Sequence, residues 1–185
     1  MKTITTLLCA TVFCTSALWA QNFSGGIRGG GVTSQIDGDG MGGYNKFSPY
    51  GGLFVQRAFD SGRWAAQLEI NYTGRGARSS DGNVRSSIGY AEIPLIFSQK
   101  LFFLPLYAQL GMAAAVKVFE NTTTYNVKQE SDDYGTWDFP IIAGAEVRIG
   151  GRLAADARFM YSMARLNNQF HNNAISFGLS YKIVK

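Results

Sequence analysis

Two neighbouring stretches of the chain alternate apolar and polar residues with a period of two. Residues 137–149 place apolar side chains at the odd-numbered positions, and residues 152–163 repeat the pattern around charged residues. Successive side chains of a β-strand leave opposite faces, so this period predicts two strands. Gly150 and Gly151 lie between them and predict a tight hairpin, because glycine tolerates positive φ.

Each predicted strand is about twice as long as the five or six residues of a typical strand in a soluble protein. A strand that crosses a bilayer needs about 9–11 residues, with an apolar face toward lipid and a polar face toward the lumen. Both strands of residues 137–163 have this length and this two-faced character. The pattern therefore predicts transmembrane β-strands of an outer-membrane barrel.

The same alternation continues along the rest of the chain. It predicts strands at residues 23–33, 47–58, 63–75, 88–98, 103–118, 137–149, 152–163 and 174–184. Long connections alternate with short ones: 34–46, 76–87, 119–136 and 164–173 are long, and 59–62, 99–102 and 150–151 are short. Outer-membrane barrels have short periplasmic turns and long extracellular loops. We therefore predict an all-β fold, an eight-stranded antiparallel up-and-down transmembrane β-barrel.

The first twenty residues differ from the rest of the chain. Lys2 is followed by an uncharged, largely apolar stretch that ends in a small residue, which is typical of a secretory signal peptide. The alternative is a membrane anchor, but a spanning helix needs about 20 apolar residues and this stretch is shorter. Both cysteines, Cys9 and Cys14, lie here, so the mature chain would have no thiol. We predict a signal peptide at residues 1–20 and one exported barrel domain at residues 21–185.

Composition and charge exclude several classes of protein. The chain has 22 Gly and 13 Phe but only 4 Pro, which favours an all-β fold. Its net charge of +4 comes without a run of Lys or Arg, so we predict no nucleic-acid partner. Residues 37–40 lack the further acidic ligands of a calcium loop, and no helix pattern follows the glycine-rich residues 23–33 as a phosphate-binding loop requires. We predict no metal and no cofactor.

Charged residues fall on the polar face of nearly every predicted strand. An eight-stranded barrel is just wide enough for its side chains to fill. Because an isolated buried charge is very costly, these charges must pair. We predict a salt-bridged plug, and the alternative is a narrow ion path or a small-ligand site. The predicted inward charges are Arg28, Arg63, Glu69, Arg75, Glu92, Lys117, Glu146, Arg148, Asp156, Arg158 and Lys182.

Two groups of residues could carry catalysis. Paired carboxylates can do acid–base chemistry, and three glutamates share the predicted lumen: Glu69, Glu92 and Glu146. Nearby arginines favour ion pairing of these glutamates instead. His171 lies near Ser162 and Ser176 in sequence, as in a lipid-acting hydrolase, yet it sits in an Asn-rich stretch with no nucleophile motif. We predict no catalytic residue and no enzyme.

Five short motifs stand in a characteristic order along the mature chain. They are Gly26-Ile27-Arg28-Gly29-Gly30, Leu68-Glu69-Ile70-Asn71-Tyr72 with Gly74 and Gly76, Tyr90-Ala91-Glu92-Ile93-Pro94-Leu95, Ala108-Gln109-Leu110-Gly111 and Ala143-Gly144-Ala145-Glu146. Together they resemble the PorT-like family of outer-membrane β-barrel proteins, common in Bacteroidota-type Gram-negative envelopes. The resemblance covers nearly all of the mature chain. It implies an eight-stranded barrel and no particular activity.

Aromatic residues recur on the apolar face of the predicted strands. They are Trp64, Trp137, Tyr72, Tyr161, Phe159 and Tyr181. In a transmembrane barrel such residues form girdles at the membrane interfaces. The alternative is the inner core of a soluble lipocalin-like barrel, but charge on nearly every strand argues against that inversion.

These observations predict a small integral outer-membrane protein with a structural or interaction role. Its predicted partners are outer-membrane lipid and an extracellular ligand or envelope protein that the four long loops bind. We predict a monomer. Two alternatives from other classes are a narrow, porin-like transport protein and a lipid-acting outer-membrane enzyme.

Overall fold

The computed structural model describes most of the mature chain. The described residues are 23–37, 43–79, 83–102, 104–125, 127–130, 135–164 and 171–184. They include all eight predicted strands apart from Phe103. The predicted signal peptide, with Cys9 and Cys14, lies outside the described residues.

Strands make up nearly all of the described chain. They are β1 (Phe23–Asp37), β2 (Lys46–Phe59), β3 (Trp64–Arg78), β4 (Val84–Leu101), β5 (Leu106–Thr124), β6 (Val127–Glu130), β7 (Trp137–Asp138), β8 (Pro140–Ile149), β9 (Leu153–Ser162) and β10 (His171–Val184). A short 3-10 turn, Asp60–Gly62, joins β2 to β3. A second short connection joins the end of β4 at Leu101 to the start of β5 at Leu106, and residues 150–152 form the third, close to the predicted positions.

The barrel closes because its first and last strands pair. β1 pairs with β2 on one side and with β10 on the other, and both pairings are antiparallel. β4 pairs with β5, and β5 pairs with β8, so the ring runs β1-β2-β3-β4-β5-β8-β9-β10 and returns to β1. A closed ring leaves no unpaired sheet edge, which the interior of a bilayer requires. The predicted eight-stranded antiparallel barrel is confirmed.

The outer surface of the barrel carries the apolar side chains. In β3 the outward Leu68 and Ile70 are 51% and 63% exposed, whereas Glu69 between them is only 1% exposed. All six predicted girdle aromatics are also outward and exposed. A soluble lipocalin-like barrel would show the opposite arrangement, so that alternative is excluded. Among the described residues, no helix is long and apolar enough to span a membrane.

Three strands run further toward the loop end than the alternation predicts. β3 ends at Arg78, β4 begins at Val84 and β5 continues to Thr124, where β6 turns back and pairs with it. The predicted loop boundaries at 76–87 and 119–136 are therefore wrong. The alternation that marks a strand comes from lipid outside and charge inside. Backbone pairing continues beyond the apolar band, where the side chains no longer show that contrast.

The other two long loops are also shorter than predicted. β1 continues to Asp37, and β10 begins at His171 rather than at residue 174. Asn172 is buried on the inward face, opposite Ile36 of β1, and Asn173 is also buried. The prediction that residues 171–173 belong to a loop is therefore wrong. Asparagine-rich residues can pair as a strand where the end of the barrel wall lies in a polar environment.

Candidate functional site

Glu69 lies at the centre of an ion cluster in the half of the lumen nearer the short turns. Its carboxylate accepts a hydrogen bond from Arg28 Nη1, and Arg158 Nη1 donates to both carboxylate oxygens at 2.8 and 3.1 Å. Asp156 contacts the same two arginines, with Oδ1 2.8 Å from Arg28 Nη2 and 3.2 Å from Arg158 Nε. None of the four side chains is significantly exposed. Two cations and two anions therefore balance inside the wall.

Neutral amides complete the coordination of the central carboxylate. Gln67 and Asn71 flank Glu69 on the inward face of β3, because residues two apart in a strand share a face. Their amide nitrogens donate to Glu69 at 2.6 and 2.7 Å. A buried carboxylate is tolerated when its lone pairs are satisfied, and here four side chains donate to it.

The network continues through Gln109 on one side of the lumen. Arg158 Nε donates to Gln109 Oε1 at 2.8 Å, and Gln109 Nε2 donates to Glu146 Oε2 at 2.8 Å. Arg148 Nε then donates to the other Glu146 oxygen at 2.6 Å. The Arg148 guanidinium lies 3.5 Å from the centre of the Tyr107 ring. This branch ends at the barrel mouth nearer the short turns.

A second branch runs through Gln56 on the opposite side. Gln56 Nε2 donates to Gln67 Oε1 at 3.0 Å, and Lys182 Nζ donates to Gln56 Oε1 at 2.7 Å. Side-chain hydrogen bonds therefore connect Lys182 through Glu69 to Arg148 without a break.

A second ion cluster, around Arg75, occupies the half of the lumen nearer the long loops. Arg75 Nη1 donates to Asp138 Oδ2 at 2.9 Å, and Arg75 Nη2 bonds to Glu92. Thr73 Oγ1 donates to Glu92 at 3.1 Å, and Ser162 Oγ donates to Asp138. Arg75 is 1% exposed, so this guanidinium is enclosed by its two carboxylates.

Little space separates the two ion clusters. The hollow between them has a volume of about 10 Å³, and its lining includes Arg28, Arg158 and Glu92. A cavity needs at least about 10–15 Å³ to hold one water molecule. The buried apolar residues Ile142 and Met160 lie beside it. The described side chains thus leave room for about one water at this level of the lumen.

The structure brings most of the predicted inward charges into these clusters and branches. The Glu69 cluster, the Arg75 cluster and the two branches contain Arg28, Glu69, Arg75, Glu92, Glu146, Arg148, Asp156, Arg158 and Lys182. Lys117 lies apart from them, toward the long loops, where its Nζ pairs with Glu120 at 2.7 Å.

Arg63 is a correction to the predicted inward set. Its side chain is 69% exposed, and its Nε lies 3.5 Å from Asp60 in the turn before β3. The position has the parity of an inward residue, but it precedes the first residue of the strand. A long side chain at the barrel rim reaches water, so the charge does not enter the lumen.

The predicted inward set omits two of the carboxylates that the structure buries. Asp138 is 1% exposed and Glu120 is 6% exposed. Asp138 occupies an even position in residues 137–149, opposite the apolar odd positions, and that parity is a usable signal for it. Glu120 lies within a stretch predicted to be loop, so no periodicity marked it.

The catalytic alternatives are not supported by the geometry of the described residues. Ser162 Oγ donates to the Asp138 carboxylate, whereas His171 Nδ1 lies 3.1 Å from the main-chain oxygen of Ser162. The His171 ring stacks on Tyr161, with 5.5 Å between ring centroids. Among the described residues, His171 therefore bonds to neither of the serine hydroxyls considered as nucleophile, Ser162 or Ser176.

The three glutamates considered for acid–base chemistry each bond to different cations. Glu69 binds Arg28 and Arg158, Glu92 binds Arg75, and Glu146 binds Arg148. In the part of the chain that the structure describes, no group of three or more acidic or histidine side chains could hold a metal ion.

Comparison with solved structures identifies similar barrels. Ail, the attachment invasion locus protein of Yersinia pestis, in complex with the heparin analogue sucrose octasulfate, is 16% identical with a TM-score of 0.54. That match covers 88% of this chain and 100% of Ail. Neisserial surface protein A is 9% identical with a TM-score of 0.52, and the match covers 88% of this chain and 98% of that protein. At these identities the likeness shows the fold.

Sequence comparison shows the family. No curated protein matches the chain in sequence. The profile of the outer membrane protein beta-barrel domain matches residues 5–182, which is nearly the whole chain. The apolar outer surface, the closed antiparallel ring with an even number of strands and the polar interior of this chain are features of transmembrane barrels. The chain belongs to the outer membrane protein beta-barrel domain family and is a small integral protein of the outer membrane.

Proposed function

We propose that this protein acts by binding at the loop end of a closed barrel, and that it does not transport solutes. The observation that carries the proposal is the side-chain network that crosses the lumen from Lys182 to Arg148, with the Arg75 cluster above it. An ion path needs continuous water, and the hollow between the two clusters is only about 10 Å³. A barrel whose lumen is filled by side chains is a rigid support for the binding residues at its loop end.

The shape of the loop end supports an interaction role. Above the apolar band, β3, β4, β5 and β6 continue as one antiparallel sheet, paired from Arg78↔Arg85 across to Thr123↔Lys128. Tyr125 and Val127 at its tip are 73% and 61% exposed. A paired sheet presents these side chains in a fixed arrangement, which lowers the entropic cost of binding a partner.

The solved relatives support an extracellular partner for the loops. The structure of Ail contains a heparin analogue, so a barrel of this size and fold has been observed with a bound ligand. For this chain the proposed partner is an extracellular ligand or an envelope protein, bound by a monomer. We also propose that the protein has no enzymatic activity, because Ser162 and His171 do not form a nucleophile–base pair.

Single-channel recording tests the closed lumen. Residues 21–185 are refolded into vesicles, insertion is verified by the faster migration of unboiled protein on electrophoresis, and the vesicles are fused with a planar bilayer. We expect no discrete conductance steps from inserted protein, whereas a porin of known conductance gives steps in the same bilayer. Stable steps that scale with the amount of inserted protein would overturn the proposal in favour of a narrow pore.

Two further assignments complete the proposal. Residues 1–20 act as a cleaved signal peptide. The intact mass of protein purified from outer membranes tests this assignment, and we expect a mass that corresponds to a chain starting at Gln21.

The chain also belongs to the PorT-like branch of its family, as its five motifs indicate.

A further inference from the structure

A cleft opens on the loop side of the wall where β2 and β3 stop pairing. The β2–β3 ladder ends at Tyr50↔Thr73, because the next residue of β2 is Pro49, which has no backbone N–H to donate. β2 continues to Lys46 along β1, while β3 continues along β4. The space beside these strand ends has a volume of about 320 Å³.

The upper lining of the cleft is cationic. Lys46, Arg85 and Lys128 line it, and Arg78 lies directly opposite Arg85 across the β3–β4 ladder. Lys46 is only 4% exposed, and its Nζ donates to Ser48 Oγ at 2.9 Å. Among the side chains that the structure describes, no carboxylate forms an ion pair with Lys46, Arg78 or Arg85. Directly opposed like charges destabilise a sheet, so an anion in this cleft would relieve the repulsion.

The electrostatic environment of Lys46 is consistent with an anion site. Lys46 is the outermost residue of β2 and lies beyond the apolar band. Burial together with the charges of Arg85 and Arg78 lowers the pKa of Lys46 to about 8. A buried ammonium beside two guanidinium groups is costly unless a negative charge balances it.

The lower lining of the cleft is aromatic and faces the membrane. Phe47, Tyr72 and Phe119 line it, and all three side chains are outward and at least 40% exposed. The Phe47 ring lies against Gly31, and the Phe119 ring lies against Gly89, so close that a Cβ on either glycine would meet the ring at 2.4 or 2.3 Å. Glycine on the neighbouring strand therefore lets each ring lie flat against the wall.

We propose that this cleft binds the phosphate-bearing headgroup of an outer-leaflet lipid. The cations at the top match a phosphate group, which Lys and Arg bind with charge-assisted hydrogen bonds. The outward aromatic residues below suit the membrane interface, where aromatic side chains are enriched. A soluble anion would use the cations but would gain nothing from outward aromatic rings. Arg85 and the three aromatic side chains are exposed on the outer wall, so lipid binding there does not depend on whether the lumen conducts.

Retention of lipid A by purified protein tests the site. Wild type, Lys46→Gln, Arg85→Gln and a control variant, Lys100→Gln, are titrated with diphosphoryl lipid A in phosphatidylcholine nanodiscs. Bound lipid is counted by native mass spectrometry. Lys100 is an exposed lysine at the opposite end of β4, so its variant removes one positive charge far from the cleft. Arg85 is exposed, so the test remains available if Lys46→Gln does not fold.

We expect about tenfold weaker retention or more for the Lys46 and Arg85 variants, since each loses a charge-assisted hydrogen bond. Lys100→Gln is expected to match wild type. Equal retention of dephosphorylated lipid A by wild type would overturn the proposal, because binding would then be apolar only. Displacement of lipid A by inorganic phosphate or by sucrose octasulfate at similar concentration would also overturn it, since the cleft would then be a soluble-anion site.

Discussion

Replacing Glu69 by alanine is expected to lower the free energy of unfolding by about 3–5 kcal/mol, because it leaves two buried guanidinium groups short of a counter-charge. Arg28 and Arg158 would share only Asp156, and the amides of Gln67 and Asn71 would lose their acceptor. The measurement is urea unfolding of protein inserted in lipid vesicles, followed by tryptophan fluorescence. Trp64 and Trp137 lie on the outer wall and report loss of the lipid environment.

Asp60→Asn provides the control for loss of a carboxylate, because asparagine tolerates the positive φ of 46° at this position. Asp60 pairs with Arg63 at the exposed rim, where both side chains are more than half exposed. Exposed pairs of this kind contribute about 0–1 kcal/mol, so little change is expected. If Glu69→Ala costs no more than Asp60→Asn, the lumen network does not stabilise the barrel.

A double-mutant cycle separates pairing from packing at the same site. In the Glu69→Ala, Arg158→Ala double variant, Arg28 keeps Asp156 as a balanced partner. The double variant is therefore expected to cost less than the sum of the single variants, by about 0.5–3 kcal/mol. If the loss of unfolding free energy in the double variant equals the sum of the losses in the two single variants, the two side chains contribute only their packing.

The fold could be predicted because a bilayer imposes a strict rule on every strand. Lipid outside and a filled lumen inside demand an apolar residue at every second position, and Leu68, Glu69 and Ile70 show that rule directly. The alternation therefore identified the strand, its inward face and the sign of the inward charge together. Beyond the apolar band the side chains no longer alternate in this way. There the predicted boundaries of the strands were wrong, and so was the prediction that His171 lies in a loop.

The partners of each charge could not be predicted from the alternation. Period two assigns a side chain to a face, but the neighbour it meets depends on how the strands are staggered around the barrel. Glu69 bonds to Arg28 at a separation of 41 residues and to Arg158 at a separation of 89. Arg63 shows the same limit at a rim, where correct parity does not bring the side chain inside.

The cleft cations show a further limit of sequence reasoning. Lys46 begins β2 directly after a polar stretch, and Arg85 lies in a stretch predicted to be loop. A cation in a polar loop and a cation aimed into a cleft have the same sequence context. Only the end of the β2–β3 ladder beside Pro49 shows that these side chains have space beside them to bind an anion.

Replacing Gly30 by alanine is expected to open the barrel where its first and last strands join. A Cβ at Gly30 would lie 2.0 Å from the main-chain oxygen of Phe177 and 2.8 Å from the Cα of Gly178. Both atoms belong to the backbone of β10, which cannot rotate away as a side chain can. β1 and β10 would have to separate, at a cost of about 1–3 kcal/mol or more. The compact band of unboiled protein on electrophoresis is expected to weaken or disappear.

Gly29→Ala is the control because it makes the same chemical change one residue away. The nearest atom to a Cβ there is the Tyr50 main-chain oxygen at 3.4 Å, an ordinary contact. Alanine also restricts the unfolded chain more than glycine, so this variant is expected to be neutral or slightly more stable than wild type. If both variants keep the compact band and unfold alike, close approach of β1 to β10 does not limit closure. If only Gly30→Ala loses the band, the glycine run of β1 is what lets the two ends of the chain meet.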